Sequence, residues 1–203
     1  ITVPYANRAT KGRLVIKTVG ESLEAYKKTF HYAKKSLPGA AFDLYAAETI
    51  YTPDHQKDAQ GKRCVEYEKD VLVATAVTDE NGEAVVEDLP LGTYRIEEKK
   101  APEGFVLKNP AQEVTFSYEG QNMPVVVKEA LFENERQKVE ITVEKRDAKT
   151  SHVLSGAVFG LYNQEPIRAG ENILVKEDTL LEKVTSNEQG KAAFETDLPF
   201  GTY

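Results

Sequence analysis

Hydrophobic and polar residues alternate with a period of two along much of this chain. In the segment "VEITVEK", for example, Val139, Ile141, Val143 and Lys145 fall on one face. Such alternation is typical of strands that bury one side. Short segments of this kind are separated by turn residues every ten or so positions, which predicts an all-β fold built of antiparallel β-sandwich modules.

Three segments depart from this simple pattern. Asn81 and Gly82 separate "VLVATAV" from "EAVV" and predict a two-residue hairpin, in which both central positions need positive φ. Residues 21–37 fit either a short amphipathic helix or a strand, and the alternation in "TFHYAK" favours the strand. Residues 51–64 are polar and aperiodic, which predicts an exposed loop.

The chain also matches itself in four pairs of segments that occur in the same order. The pairs are "LPGAAFDLY" with "LSGAVFGLY", "TDENGEAVV" with "SNEQGKAAF", "DLPLGTY" with "DLPFGTY", and, with a gap of one residue, "ANRATKGRLVIK" with "ENERQKVEITVEK". This order predicts a tandem array: residues 1–11 form the last strand of a preceding module, 12–136 a complete module, and 137–203 the N-terminal part of a second module. We therefore expect the chain to be a window from a longer protein.

Composition narrows the classes of partner. The 203 residues include 33 acidic and 26 basic side chains, and the net charge of -7 disfavours nucleic acid or an anionic membrane surface. The longest apolar run is too short to insert into a membrane. The single cysteine, Cys64, rules out an internal disulfide. Because His31, His55 and His152 lack metal-ligand spacing, we predict no metal and no cofactor.

One glutamate lies on a face that should be buried. In "GTYRIEEKKAPEGF", Tyr94, Ile96 and Glu98 point the same way. An unpaired buried carboxylate is costly, so Glu98 either reaches solvent at the strand end or has a partner inside.

Lysines and an asparagine are the candidate partners of Glu98. Lys145 falls on an apolar face, and the repeat assigns Lys17 to the equivalent place in the complete module. The alternation there is less clean, because Lys17 shares its face with Arg13 and Val15. The apolar residues Leu14 and Ile16 lie on the other face. The segment "ALFENE" sends Asn134 inward.

The order of "LVIK", "LPGAAFDLY", "TDENGEAVVEDLPLGTYRIEEKKAPEGF" and "FENE" resembles the CnaB-type domain of Gram-positive surface proteins, also called the SpaA-type prealbumin-like domain. In that family a lysine of the first strand is joined covalently to an asparagine of the last strand, assisted by a buried glutamate. The resemblance implies that Lys17 is the nucleophile, Asn134 the acceptor and Glu98 the catalytic acid. It further implies that Lys145 is the nucleophile of the second module and Asn7 the acceptor for a lysine preceding this chain.

The chemistry suits these residue types. Burial lowers the pKa of a lysine and raises that of a glutamate, so a neutral amine can attack an amide that a protonated carboxyl polarises, and ammonia leaves. The reaction occurs once per molecule, so the chain is not an enzyme in the ordinary sense. The resulting isopeptide bond would staple the module without a disulfide.

The resemblance implies an extracellular structural stalk, whose partners are neighbouring modules of the same chain and the cell wall, reached through a sorting signal outside this chain. Two alternatives stay open. One is an adhesive module that binds host matrix or glycan through the insertions at 51–64 and 21–35, which an exposed aromatic patch there would favour. The other is a pilin subunit assembled by a sortase, although the chain has no "YPKN"-like pilin motif.

Overall fold

The computed structural model describes residues 8–203, so Asn7 lies outside the described residues. The described chain is all β, and it contains no helix long and apolar enough to cross a membrane. Its strands are β1 (Lys11–Tyr26), β2 (Phe30–Ser36), β3 (Ala41–Ala46), β4 (Ile50–Tyr51), β5 (Val65–Tyr67), β6 (Leu72–Val77), β7 (Glu83–Leu89), β8 (Gly92–Lys100), β9 (Phe105–Val106), β10 (Ala111–Phe116), β11 (Val125–Arg136), β12 (Thr142–Glu144), β13 (Val158–Tyr162), β14 (Ile167–Ala169), β15 (Asn172–Val175), β16 (Leu180–Thr185) and β17 (Lys191–Ala193).

The chain forms two compact units. The first comprises the residues up to 20 together with 35–135, and the second comprises 21–34 together with 136–203. The boundary between the units, after residue 135, lies one residue from the predicted boundary between the modules 12–136 and 137–203. The units differ from the predicted modules, since the segment 21–34 belongs to the second unit and residues 8–11 belong to the first. The division into tandem modules stays a prediction.

The first unit is a sandwich of two sheets. In one sheet β1 lies between β7, which is antiparallel to it, and β11, which is parallel to it, and β11 also pairs with β9. The other sheet has the order β10-β8-β3-β6. Alternate residues of both sheets face inward and form one core, as the period of two predicts. Its fully buried large side chains are Leu14, Ile16, Phe42, Leu44, Tyr94, Ile96, Phe116, Val126 and Phe132.

Strand β1 shows this alternation most clearly. Leu14, Ile16 and Thr18 are completely buried, whereas Val15 and Lys17 lie on the outer face of the sheet. Parallel pairing with β11 extends from Lys11 opposite Val125 to Gly20 opposite Asn134. The inward or outward direction of every side chain in this region therefore follows from the register of one strand pair.

The turn at Asn81 and Gly82 does not close a hairpin, which corrects the prediction. Strands β6 and β7 flank it but belong to different sheets. Only Gly82 has positive φ, and the Asp79 side chain accepts hydrogen bonds from the backbone N–H groups of Asn81 and Glu83. The chain leaves the sheet that contains β6 at Thr78, whose buried hydroxyl donates to the carbonyl of Leu37.

Residues 21–34 form the strand hairpin that the alternation favoured. Strand β1 continues to Tyr26, and β2 returns from Phe30. Phe30 is buried together with Leu161, Val175 and Leu198 in the core of the second unit. The Arg136 guanidinium of the same unit lies 3.8 Å from the centroid of the Tyr32 ring and binds both carboxylate oxygens of Asp197 at 2.7 Å.

The polar segment before β5 is an exposed loop, as predicted. It connects β4 to β5, which form a short antiparallel pair, and residues 53–63 are all exposed. In the second unit the paired strands are β12 with β17, β13 with β16, and β14 with β15.

The close packing at Gly82 leads to a first prediction. A Cβ at Gly82, where φ is +72°, would lie 2.8 Å from the backbone nitrogen of Leu37 and 3.0 Å from the carbonyl oxygen of Thr18. Gly39 has a similar φ of +83° but no atom within 4 Å of its Cβ position. We expect Gly39→Ala to cost about 1 to 2 kcal/mol, the usual left-handed penalty, and Gly82→Ala to cost clearly more.

Urea denaturation of the two variants and the parent protein measures this difference. The comparison separates the backbone penalty, which both variants carry, from the clash, which is specific to Gly82. Equal losses of unfolding free energy in the two variants would contradict the close packing around this turn.

Candidate functional site

Glu98 and Asn134 form a buried pair that joins the two sheets of the first unit. Glu98 lies on β8 and is 3% exposed, and Asn134 lies on β11 and is 2% exposed. The Asn134 side-chain amide donates a hydrogen bond of 2.7 Å from Nδ2 to Oε1 of Glu98. The two residues that the sequence predicted to point inward on different strands are therefore in direct contact.

Burial favours the protonated form of this carboxyl. It raises the pKa of Glu98, and the hydrogen bond from Asn134 opposes the shift only in part. The described residues provide no hydrogen-bond partner for the buried Oδ1 atom of Asn134. A protonated Glu98 brings a donor into a site that is short of donors, so the environment suits a neutral acid beside an amide.

Lys17 does not join this pair. Its side chain lies on the outer face of β1, where Nζ is 3.1 Å from Oε2 of Glu129 and 3.7 Å from Oε1 of Glu83. The hydrogen bond to Glu129 raises the pKa of Lys17 above its ordinary value, so the amine is held protonated. This corrects the expectation that Lys17 faces Asn134. The Lys17–Asn134 bond itself stays a prediction, and the geometry does not support it.

Thr18 occupies the inner position that the repeat had assigned to Lys17. Its backbone N–H donates to Gly82 and its carbonyl accepts from Leu37, both at 2.9 Å. In the second unit the backbone of Lys145 makes the same two contacts, at 2.8 Å with Gly190 and 2.9 Å with Leu154. Thr18 is thus the structural equivalent of Lys145.

The sequence contains a signal for this equivalence that the repeat alignment missed. Asn7 precedes Thr18 by eleven residues, and Asn134 precedes Lys145 by eleven residues. The fourth pair of repeats therefore aligns without a gap when Thr18, instead of Lys17, is matched to Lys145. The alternation along β1 pointed to the same correction.

Threonine is too short to bridge this site. Thr18 pairs with Phe132, so Asn134 is its diagonal neighbour two positions further along the parallel strand. Diagonal neighbours lie about 7 to 8 Å apart, well beyond the reach of a hydroxyl on Cβ. The Oγ1 atom of Thr18 is buried and has no hydrogen-bond partner among the described residues. A lysine at this position would carry its amine three methylene groups further towards the amide.

Lys145 and Cys64 also lie within the described residues. Lys145 follows β12 directly and its side chain is exposed. Cys64 is a partly buried free thiol. Within residues 8–203 no group of three or more His, Cys, Asp and Glu side chains is placed to hold a metal ion.

Several solved structures are similar to this chain. The Bacillus anthracis TIE protein matches with a TM-score of 0.55 and 26% identity, over 95% of this chain and 27% of that chain. The shaft pilin SpaA from Lactobacillus rhamnosus GG matches with a TM-score of 0.41 and 19% identity, over 94% and 89% of the two chains. GBS52, the minor pilin of Streptococcus agalactiae, matches with a TM-score of 0.39 and 18% identity, over 70% and 50%. This chain spans about a quarter of the TIE protein.

A comparison with curated protein sequences finds no match. The family model of the SpaA prealbumin-like fold domain matches two segments, residues 24–130 and 139–203, which together make up most of the chain. The two-sheet architecture of the first unit agrees with that match. The chain belongs to the family of SpaA prealbumin-like fold domains.

Proposed function

We propose that this chain is a structural part of a Gram-positive surface protein, extracellular and carrying tension along its length between neighbouring modules. The observation that carries the proposal is the parallel pairing of β1 with β11, the first and last long strands of the first unit. The match to the family of SpaA prealbumin-like fold domains, which the sequence motifs link to Gram-positive surface proteins, supports a surface role. Attachment to the cell wall, through a signal outside this chain, belongs to the same proposal.

Parallel pairing gives a specific response to force. Ten residues of β1, from Lys11 to Gly20, pair with ten of β11, from Val125 to Asn134. Tension that enters at the start of β1 and leaves at the end of β11 slides the two strands along each other. Because the hydrogen bonds of the pair are then loaded together, they resist better than bonds that break one after another.

The Glu98–Asn134 pair strengthens this arrangement where the tension leaves. Asn134 lies near the end of β11, and its hydrogen bond to Glu98 ties that strand to the opposite sheet. We infer that this contact is a noncovalent latch in the first unit. The isopeptide chemistry is proposed only where a lysine takes the inner position, which makes Lys145 the candidate nucleophile of the second unit.

Turnover of an external substrate is no part of this proposal. The buried acid and amide lie between two sheets, where burial leaves little access for an external substrate. A pilin subunit would use the same mechanical principle. We favour the more general surface stalk, because the chain contains no "YPKN"-like pilin motif.

Single-molecule pulling tests the mechanical role. In a Cys64→Ser background, cysteine handles at Ala9 and Gln137 load the β1–β11 pair along the strands. Handles at Ala9 and Asn122 lie at the same end of the pair, where the Lys11 N–H donates to the Pro124 carbonyl. Pulling on them therefore separates the two strands one hydrogen bond at a time. We expect a higher rupture force in the first geometry at equal loading rate. Equal forces would refute a stalk function based on this strand pair.

Intact mass tests the chemistry of the site. We expect the parent chain to have its unmodified mass and Thr18→Lys to lose about 17 Da, the mass of ammonia, because residue 18 faces Asn134. The loss should persist in Thr18→Lys with Lys17→Ala and vanish in Thr18→Lys with Glu98→Ala. A parent chain that loses ammonia, with Lys17→Ala abolishing the loss, would show that Lys17 reaches Asn134 after all.

The raised pKa of Glu98 predicts how stability varies with pH. A carboxyl whose pKa is higher in the folded than in the unfolded state binds protons more tightly when folded. Its stabilising contribution to the unfolding free energy is complete below the pKa of the unfolded state, near 4.5. This contribution is lost as the pH rises through the higher pKa of the folded state. A tenfold difference in proton affinity between the folded and unfolded states corresponds to about 1.4 kcal/mol of stability.

Glu98→Gln keeps an acceptor for Asn134 and cannot ionise. We therefore expect the unfolding free energy of this variant to gain on that of the parent as the pH rises from 4.5, as measured by urea denaturation at each pH. The exposed substitution Glu87→Gln is the control and should show no such gain. A constant difference between Glu98→Gln and the parent would contradict a buried, preferentially protonated acid.

A further inference from the structure

We propose that the first unit carries a binding cleft for carboxylated glycans, a function beyond the structural role. The cleft is formed by residues 8–10 before β1, the loop between β4 and β5, the segment before β8 and the loop after β10. One cavity has a volume of about 460 Å³ and adjoins a second of about 700 Å³. The two share Arg8, Thr10 and Tyr118, so they form a continuous groove of the size that small ligands occupy.

The charge of this cleft is opposite to that of the chain. The sequence has 33 acidic residues and a net charge of -7, yet none of the acidic residues that the structure describes lines either cavity. The basic side chains Arg8 and Arg63 line the first cavity together with His55. A concentration of positive charge in a concave site on an acidic protein favours an anionic ligand.

The neighbouring carboxylates are already engaged elsewhere. Asp54 accepts a hydrogen bond of 3.1 Å from the backbone of Gln56, and Asp58 accepts two from its own loop. Glu119 follows Tyr118 directly, but its carboxylate is 3.1 Å from the amine of Lys128. The arginines of the cleft therefore keep their capacity for a ligand carboxylate, which a planar guanidinium binds through two hydrogen bonds.

Two tyrosines give the cleft an aromatic surface. Tyr118 is 60% exposed and belongs to both cavities. Tyr51 lies under the guanidinium of Arg63, which is 4.2 Å from the centroid of its ring and is thereby held at the cavity. An exposed ring such as that of Tyr118 packs against the C–H face of a pyranose, since both surfaces are flat and apolar.

Amide side chains complete the recognition chemistry. Gln121 and Asn122 line the second cavity and are exposed, so they can both donate to and accept from sugar hydroxyl groups. The surface of this cavity is mainly polar. A flat aromatic ring, exposed amides and arginines in one groove match a sugar that bears a carboxylate. An acidic peptide would satisfy only the arginines.

Titration of the full chain followed by NMR tests the proposal. The probes are 3′-sialyllactose and a hyaluronan tetrasaccharide, which carry different carboxylated sugars, with lactose as the neutral control and a glutamate-rich peptide as the competing class. We expect at least one acidic glycan to shift the backbone signals around Tyr118 and Arg63, with an affinity that falls as salt is added.

Variants then assign the contacts. Arg8→Gln with Arg63→Gln should weaken binding about tenfold or more, through lost charge-assisted hydrogen bonds. Tyr118→Ala should weaken it as well, while Arg168→Gln, an exposed arginine of the second unit, should leave it unchanged. Melting temperatures confirm that the variants are folded.

The glycan that binds identifies the source of the carboxylate, and binding of either one supports the cleft. The proposal is overturned if neither acidic glycan binds, if lactose binds as well as they do, or if the peptide binds in their place. Equal weakening by Arg168→Gln would also overturn it, because the effect would then reflect overall charge alone. None of these outcomes bears on the mechanical role of the β1–β11 pair.

Discussion

The parallel register of β1 and β11 is the constraint on which the site depends. Because side chains alternate along a strand, this register sends Thr18 and Asn134 into the core and Lys17 and Glu129 to the outer surface. A shift of one residue would exchange the two sets and expose Leu14 and Ile16. The core thus determines which side chain faces the buried acid, and no rearrangement of Lys17 alone could bring its amine inside.

The sequence predicted those features that depend on local alternation. Glu98 and Asn134 lie on regular strands, so a period of two was enough to place them inside. The repeat with Lys145 places Lys17 inside, whereas the pattern of its own strand, which groups it with Val15, places it on the outer face where it is found. The pairing of β6 and β7 with different sheets was beyond local patterns, since the residues Asn81 and Gly82 suit a turn between paired strands as well as a turn between strands of different sheets.

The buried acid–amide pair has an energetic character of its own. Placing a carboxyl between two sheets carries a desolvation cost, which protonation reduces and the hydrogen bond from Asn134 partly offsets. Such a contact adds little net stability, but loss of either partner leaves the other buried and unsatisfied. Its main effect is to specify how the two sheets face each other.

The hairpin at 21–34 makes the second unit discontinuous in sequence. Phe30 is synthesised more than 100 residues before Leu161 and Leu198, with which it is buried. During synthesis the first unit can complete its own core while the apolar side of this hairpin waits for partners still to be made. Contacts of such sequence separation slow folding. The second unit therefore cannot be excised at residue 136 with its core intact, and the order of translation is built into its assembly.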